Sequence, residues 1–189
     1  MIKKLAALAI VIPASWFSYA ACAGESAANV CEREMASAAN SENVPLGVLY
    51  AVGLTETGRN GALSPYALNI EGRPVFASSR RQAVAEFIKA RASGKKLIDL
   101  GCMQINHFYH GGEFESVSAM LDPQANVRYA ARFLKQLKAR EGSWTMAVAR
   151  YHAGPDNDPA QKRYICAVIR NLVVTGFGNW TQESRAFCK

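Results

Sequence analysis

The stretch from Leu46 to Thr57 carries a single charge, Glu56, and a segment that apolar has to run through the core of whatever the chain folds into. Counting back from the acid, Val52 lies four positions away, Leu49 seven and Val48 eight. In a helix the carboxyl group therefore shares a stripe with aliphatic side chains and points inward. Removing a carboxyl from water near the negative end of a helix dipole disfavours its ionised form, which suits general-acid chemistry. From this segment alone, a structural glutamate paired with one of the arginines is the competing reading.

The N-terminus reads as targeting rather than fold. Lys3 and Lys4 precede an uncharged apolar run over residues 5–16, and two small-x-Ala sites follow, Ser18-Tyr19-Ala20 and Ala21-Cys22-Ala23. The expectation is a signal peptide over 1–23 and a domain over 24–189, exported to the periplasm or beyond. Pro13 and a run shorter than about 18 residues argue against a membrane-spanning anchor. Tyr19, three positions before Cys22 where an aliphatic side chain is needed, argues against a lipoprotein form at Cys22. Cleavage after Ala23 leaves 189 minus 23, or 166, residues, a length that fits one domain with a sizeable core.

Losing Lys3 and Lys4 takes the formal charge from +7 to +5, still enough to favour an anionic partner. Outside the cytoplasm that excludes nucleic acid and leaves an acidic cell-envelope polymer. Four cysteines remain: Cys31, Cys102, Cys166 and Cys188. They allow up to two disulfides, about 3 kcal/mol each, in any of three connectivities between which the sequence does not choose. Their irregular spacing, without a Cys-x-x-Cys pair, argues against a zinc site.

No repeat, low-complexity tract or long linker follows. The pattern predicts a single α+β domain, predominantly α. Ser79 with Gln82 reads as a capping box ahead of Ala83, Val84, Phe87 and Ile88. Asp122-Pro123 opens a helix carrying Val127, Ala130, Ala131, Leu134 and Leu137, and Asp158-Pro159 opens another carrying Tyr164, Ile165, Val168 and Leu172, which Gly176 ends. A tail of about 176–189 follows it. Segments 66–70 and 74–76 flank Glu71-Gly72-Arg73, the signature of a small hairpin insertion.

Three further segments carry polar chemistry. Asp99-Leu100-Gly101-Cys102-Met103-Gln104-Ile105-Asn106 interrupts the helices with a glycine and two amides, and reads as a buried loop whose Gln104 and Asn106 need hydrogen-bond partners. Arg150-Tyr151-His152-Ala153-Gly154-Pro155 is a helix end bearing a tyrosine and a histidine. Tyr164 opens the apolar face of the last long helix.

Taken in order, Glu56-Thr57, Gly101-Cys102-Met103-Gln104, Tyr151-His152-Ala153-Gly154 and Tyr164 resemble the motifs of bacterial lytic transglycosylases of the soluble, goose-lysozyme-related type. Their pattern is Glu-Ser, Gly-Leu-Met-Gln, Ala-Tyr-Asn-x-Gly and a tyrosine on the next helix. Asn126-Val127-Arg128-Tyr129-Ala130-Ala131 matches a further segment, so the resemblance spans about 31–174. Thr57 keeps the expected hydroxyl, Cys102 replaces leucine, and His152 replaces asparagine. Gln104 lies 48 positions after Glu56, farther than in compact relatives, and the insertion reads as a cleft wall.

The resemblance implies a lysozyme-like fold and cleavage of peptidoglycan between N-acetylmuramic acid and N-acetylglucosamine with formation of 1,6-anhydro ends. Glu56 would act first as acid and then as base, and Thr57, Met103, Gln104, Tyr151, His152 and Tyr164 would bind or orient the sugar. It implies no cofactor, a monomer, and service to an envelope-spanning secretion or flagellar machine. The alternatives are a hydrolytic muramidase drawing a second carboxylate from Glu71, Asp99, Glu113 or Asp122, and a non-catalytic glycan-binding assembly protein. A metal hydrolase using His107, His110 and His152 lacks a ligand carboxylate at motif spacing.

Overall fold

The computed structural model describes residues 29–58, 62–154 and 156–189; the signal-peptide and lipidation readings fall outside them. The helices are α1 (Val30–Glu42), α2 (Leu46–Thr57), α3 (Arg80–Ala92), α4 (His107–His110), α5 (Val117–Met120), α6 (Pro123–Glu141), α7 (Trp144–His152), α8 (Asp158–Val174) and α9 (Gln182–Phe187). The strands are β1 (Ala67–Ile70), β2 (Arg73–Phe76), β3 (Ile98–Leu100) and β4 (Ile105–Asn106). The fold is predominantly α with one small antiparallel sheet, as the sequence pattern predicts.

Helix α2 packs against α1 on one side and α8 on the other, which is why it is apolar nearly all round. Leu49, Ala51 and Val52 are fully buried there, alongside Met35 from α1 and Val168 from α8. Asn171 of α8 fixes the register of that crossing by donating its Nδ2 to Thr55 Oγ1 at 2.9 Å. Helix α6 closes the other side of the core against α1 and α7, with Val127, Ala130, Ala131 and Leu134 facing inward at helical spacing.

The sheet is larger than the hairpin read from sequence. Its order is β2-β1-β3-β4, so the segment taken as a buried loop contributes two strands. β3 is only three residues long and β4 two, too short for the alternation on which strand recognition depends. The hairpin itself has a two-residue turn, Glu71 and Gly72, both left-handed (φ 48° and 90°), a geometry that matches the twist of the flanking strands.

Two helix starts are refined as well. Asp122 caps α6 by accepting from Ala125 N, as read. Helix α8 is capped one residue earlier than expected, by Asn157, with Asp158 inside the first turn. At α3, Ser79 accepts from Gln82 N, but Gln82 Oε1 turns to Ser78 rather than completing the capping box. The cysteines pair as Cys31–Cys102 and Cys166–Cys188. The first closes a loop of 71 residues and the second one of 22, separations for which chain entropy alone gives about 4 and about 3 kcal/mol. The second anchors the C-terminal segment, including α9, to α8.

Candidate active site

A cleft of about 440 Å³ runs between the helices and the sheet, and Glu56 stands on its wall. Tyr151 and His152 at the end of α7 and Phe133 of α6 line the same helical side. The opposite side is built by Asn69, the Glu71-Gly72 turn, Asp99, Gln104 and Asn106, with Tyr109 and His110 beyond them. Most of the sheet side comes from the long insertion between Glu56 and Gln104.

Glu56 occupies the last turn of α2, in line with the fully buried Val52 and Leu49. The helix brings the acid to the edge of the core, where its carboxyl group opens on the cleft while protein surrounds the rest. Tyr164 donates its hydroxyl hydrogen to Glu56 Oε1 at 2.5 Å. Burial pushes the Glu56 carboxyl up to about 8; the Tyr164 hydrogen bond opposes that shift and the charge of Asp99 adds to it. Among the described residues, none of the groups acting on Glu56 is a cation, which argues against a structural ion-pair partner. At pH 7 a group titrating near 8 is protonated by roughly ten to one, so the acid holds its proton at neutral pH.

The tyrosines have different tasks. Tyr164 is buried behind Glu56 on α8, outside the cleft lining, and reaches the acid directly. Tyr151 lines the cleft and donates to the Met103 carbonyl at 2.7 Å, tying α7 to the loop before β4. Burial pushes both phenols well above their ordinary range, and the charge of Glu56 adds to the shift, so both remain hydrogen-bond donors.

The loop of residues 101–104 is held from below. Asn126, fully buried on α6, accepts from Met103 N at 2.9 Å and donates to the carbonyls of Leu100 and Met120 at 2.9 and 3.0 Å. Gly101 sits at φ 80° against that amide, and a Cβ there would come within 2.6 Å of Asn126 Nδ2. Position 101 therefore requires glycine both for its backbone and for the space. Gln104 adopts φ 46°, rare for a side-chain-bearing residue, and donates its Nε2 to the carbonyls of Ala67 and Gly101 at 3.1 and 3.0 Å. With the nitrogen committed, Oε1 is the polar atom Gln104 offers to the cleft.

Thr57 and Met103 are brought near the site but not into it. Both are buried and neither lines the cleft. The Thr57 hydroxyl lies 3.2 Å from the carbonyls of Gly53 and Cys102, bracing the end of α2 against the loop. Met103 sends its side chain into the core, and only its backbone serves the site. Cys102, at the family's leucine position, is more than packing, since its disulfide to Cys31 ties the loop to the start of α1.

Residues 34–168 match the transglycosylase SLT domain family. The chain belongs to that family. No curated protein sequence and no solved structure matches it. Members of the SLT-domain family are lytic transglycosylases that act on peptidoglycan, a glycan outside the cytoplasmic membrane, and membership supports lysozyme-like glycan cleavage.

Of the four candidate second carboxylates, the SLT domain places two in the cleft, Asp99 and Glu71. Asp99 is half-buried on β3; burial raises its carboxyl, while the Asn106 amide, donating to Oδ1 at 2.7 Å, opposes the shift. Glu71 is exposed and paired with Lys95 at 2.9 Å. Asp122 is a cap ion-paired to Arg80, and Glu113 lies outside the cleft lining. The histidines go to three different partners: His107 packs on Phe87, His110 shares a hydrogen with the Tyr129 hydroxyl, and His152 stacks on Tyr164. The hub amide Asn126 lay within a recognised motif, yet its role was invisible until α6, β3 and the loop were assembled.

Proposed function

We propose that the protein is a peptidoglycan lytic transglycosylase that cuts the β-1,4 bond between N-acetylmuramic acid and N-acetylglucosamine. The supporting observation is Glu56 itself: a carboxyl group in an open cleft, protonated at neutral pH and held by a neutral tyrosine. Glu56 gives its proton to the glycosidic oxygen as the bond to C1 breaks. The resulting carboxylate then accepts the proton of the muramoyl 6-hydroxyl as that oxygen bonds to C1. No water enters, and the acid ends reprotonated, ready for another turn. The cationic character developing at the sugar ring is met by the Glu56 and Asp99 carboxylates across the cleft, while Gln104 Oε1 orients the sugar.

Asp99 favours a second reading, a hydrolytic muramidase in which it stabilises or attacks C1 and water completes the reaction. We also propose that the protein is exported and works as a monomer, opening the wall for an envelope-spanning machine, a reading supported by its size and its family. Glu56→Gln tests the common core of both enzymatic readings. Its release of soluble fragments from purified peptidoglycan is expected to fall by about 10² to 10⁴ with sedimentation binding retained. Release within a few-fold of wild type would overturn Glu56 as the acid, and no release by the wild-type protein, with binding retained in both, would favour a glycan-binding assembly role.

A further inference from the structure

His152 stands where the family pattern has asparagine, and its place in the cleft follows from a short chain of contacts. It is the last residue of α7, one position after the tyrosine that holds the Met103 carbonyl. Its ring lies flat on Tyr164, with centroids 4.2 Å apart and planes 5° from parallel. Tyr164 is the residue whose hydroxyl reaches Glu56. His152 lines the cleft and is exposed, whereas Tyr164 is buried beneath it. The segment joining α7 to α8 is tied down by Gln161 Nε2, which donates to the Gly154 carbonyl at 2.5 Å, so the two rings approach from anchored helices.

Resting on the reading of Glu56 as the acid, we propose that His152 is a positioning residue: its flat ring covers Tyr164, aims the phenol at Glu56 and keeps cleft water away from the pair. A planar ring suits this task because it covers the phenol face completely, which a short amide cannot do. A neutral ring suits it too. Burial lowers the imidazole, and nearby Arg163 lowers it further, so His152 places no positive charge beside an acid that must keep its proton. A lysine or arginine at this position would cover the ring but favour the Glu56 carboxylate.

Besides burial, the groups that set the Glu56 titration are Tyr164 from α8 and Asp99 from β3, and Tyr151 of α7 in turn senses the Glu56 charge; a change at 152 leaves all three side chains in the protein. Removing the cover admits water to Tyr164 and Glu56 and weakens the burial that raises the acid. Admitted water favours the anion while a loosened Tyr164 hydrogen bond disfavours it; burial is the largest influence on Glu56, so the midpoint moves down from about 8 toward its ordinary value.

The test is a ¹³C-carboxyl NMR titration of the full chain labelled at glutamate, with Glu56 assigned by its loss in Glu56→Gln. It is run on wild type, His152→Ala and His152→Phe, and needs no activity. His152→Ala is expected to lower the Glu56 midpoint by about one pH unit or more, while His152→Phe, which restores a flat neutral ring, is expected to hold it within about 0.3 of wild type. On peptidoglycan the basic limb of the rate profile should move in parallel, with kcat in the alanine variant falling about twofold at pH 7 and up to about tenfold above pH 8, and KM changing less than threefold. An unmoved midpoint in His152→Ala overturns the proposal, and so does a phenylalanine variant as displaced as the alanine one. Failure of the chain to cleave any glycan, with the midpoint behaving as described, would overturn the functional reading and leave the positioning role standing.

Discussion

The two walls of the cleft reach their chemistry by different routes. On the helical wall, Glu56, Tyr164 and His152 owe their properties to burial: water is excluded, so the acid keeps its proton and the phenol stays a donor. On the sheet wall, Asp99, Gln104 and Asn106 owe theirs to hydrogen bonds that fix backbone and amide geometry around a loop containing two left-handed residues, Gly101 and Gln104. The contrast assigns tuning to one side and positioning to the other. It implies that damage to the helical wall changes titration, whereas damage to the sheet wall changes shape.

The largest effect on the sheet side is expected at Asn126. Asn126→Ala strands the Met103 amide and removes a donor from two carbonyls, all in a fully buried place. It should cost about 3 kcal/mol or more and lower the thermal midpoint by roughly 10 °C, with the Glu56 titration largely unchanged in the folded protein. A loss under about 0.5 kcal/mol in chemical denaturation would mean that the loop is held by something else, the Cys31–Cys102 disulfide being the first candidate.

On the helical side, Glu56 should make the protein less stable as pH rises. Its ordinary value is 4.5 and its folded value about 8, so between those limits the native state binds the extra proton and stability falls with increasing pH. Glu56→Gln has no such liability and keeps an oxygen for Tyr164 to donate to. Urea denaturation should find the two proteins equal near pH 4 and the variant ahead by on the order of 1–3 kcal/mol above pH 8, the lower end reflecting water in the cleft. A constant difference across that range would show that Glu56 is not tuned by burial.

Asp99 is the place where the two walls meet, since its charge raises the acid facing it. If the single-carboxylate mechanism holds, Asp99→Asn should slow glycan cleavage less than about tenfold and leave the product type unchanged. It should also let the Glu56 midpoint drift down, because a neighbouring negative charge is gone. A loss of 10² or more would turn the sheet wall from a positioning element into half of a two-carboxylate catalyst.

The same contrast explains what could be read before the structure. Glu56 was legible because an acid on an aliphatic helical stripe is a conflict visible at fixed spacing, and burial effects follow from such patterns. The motif tyrosines were legible as members of the site, but the order in which Tyr164 reaches the acid and Tyr151 reaches a backbone carbonyl depends on how α2, α7 and α8 cross. Thr57 and Met103 were placed among the sugar-binding residues by resemblance; they turn inward because the loop needs their hydroxyl and backbone groups for support. The sheet wall was the least legible part. β3 and β4 are too short to show alternation, and the pairing of β3 with β1 joins residues some thirty apart in sequence, a contact that periodicity does not report. The disulfides were limited to three pairings by counting, and folding chose the one that braces the loop of residues 101–104.

The central claim is that one carboxyl group acts as acid and then as base while the sugar's own hydroxyl closes the ring. Digestion of purified peptidoglycan in H₂¹⁸O, followed by mass spectrometry of the muropeptides, tests it directly. Anhydro ends, one water lighter than reducing ends and carrying no label, are the expected products. Reducing ends that have gained one ¹⁸O would contradict it and make the enzyme a muramidase.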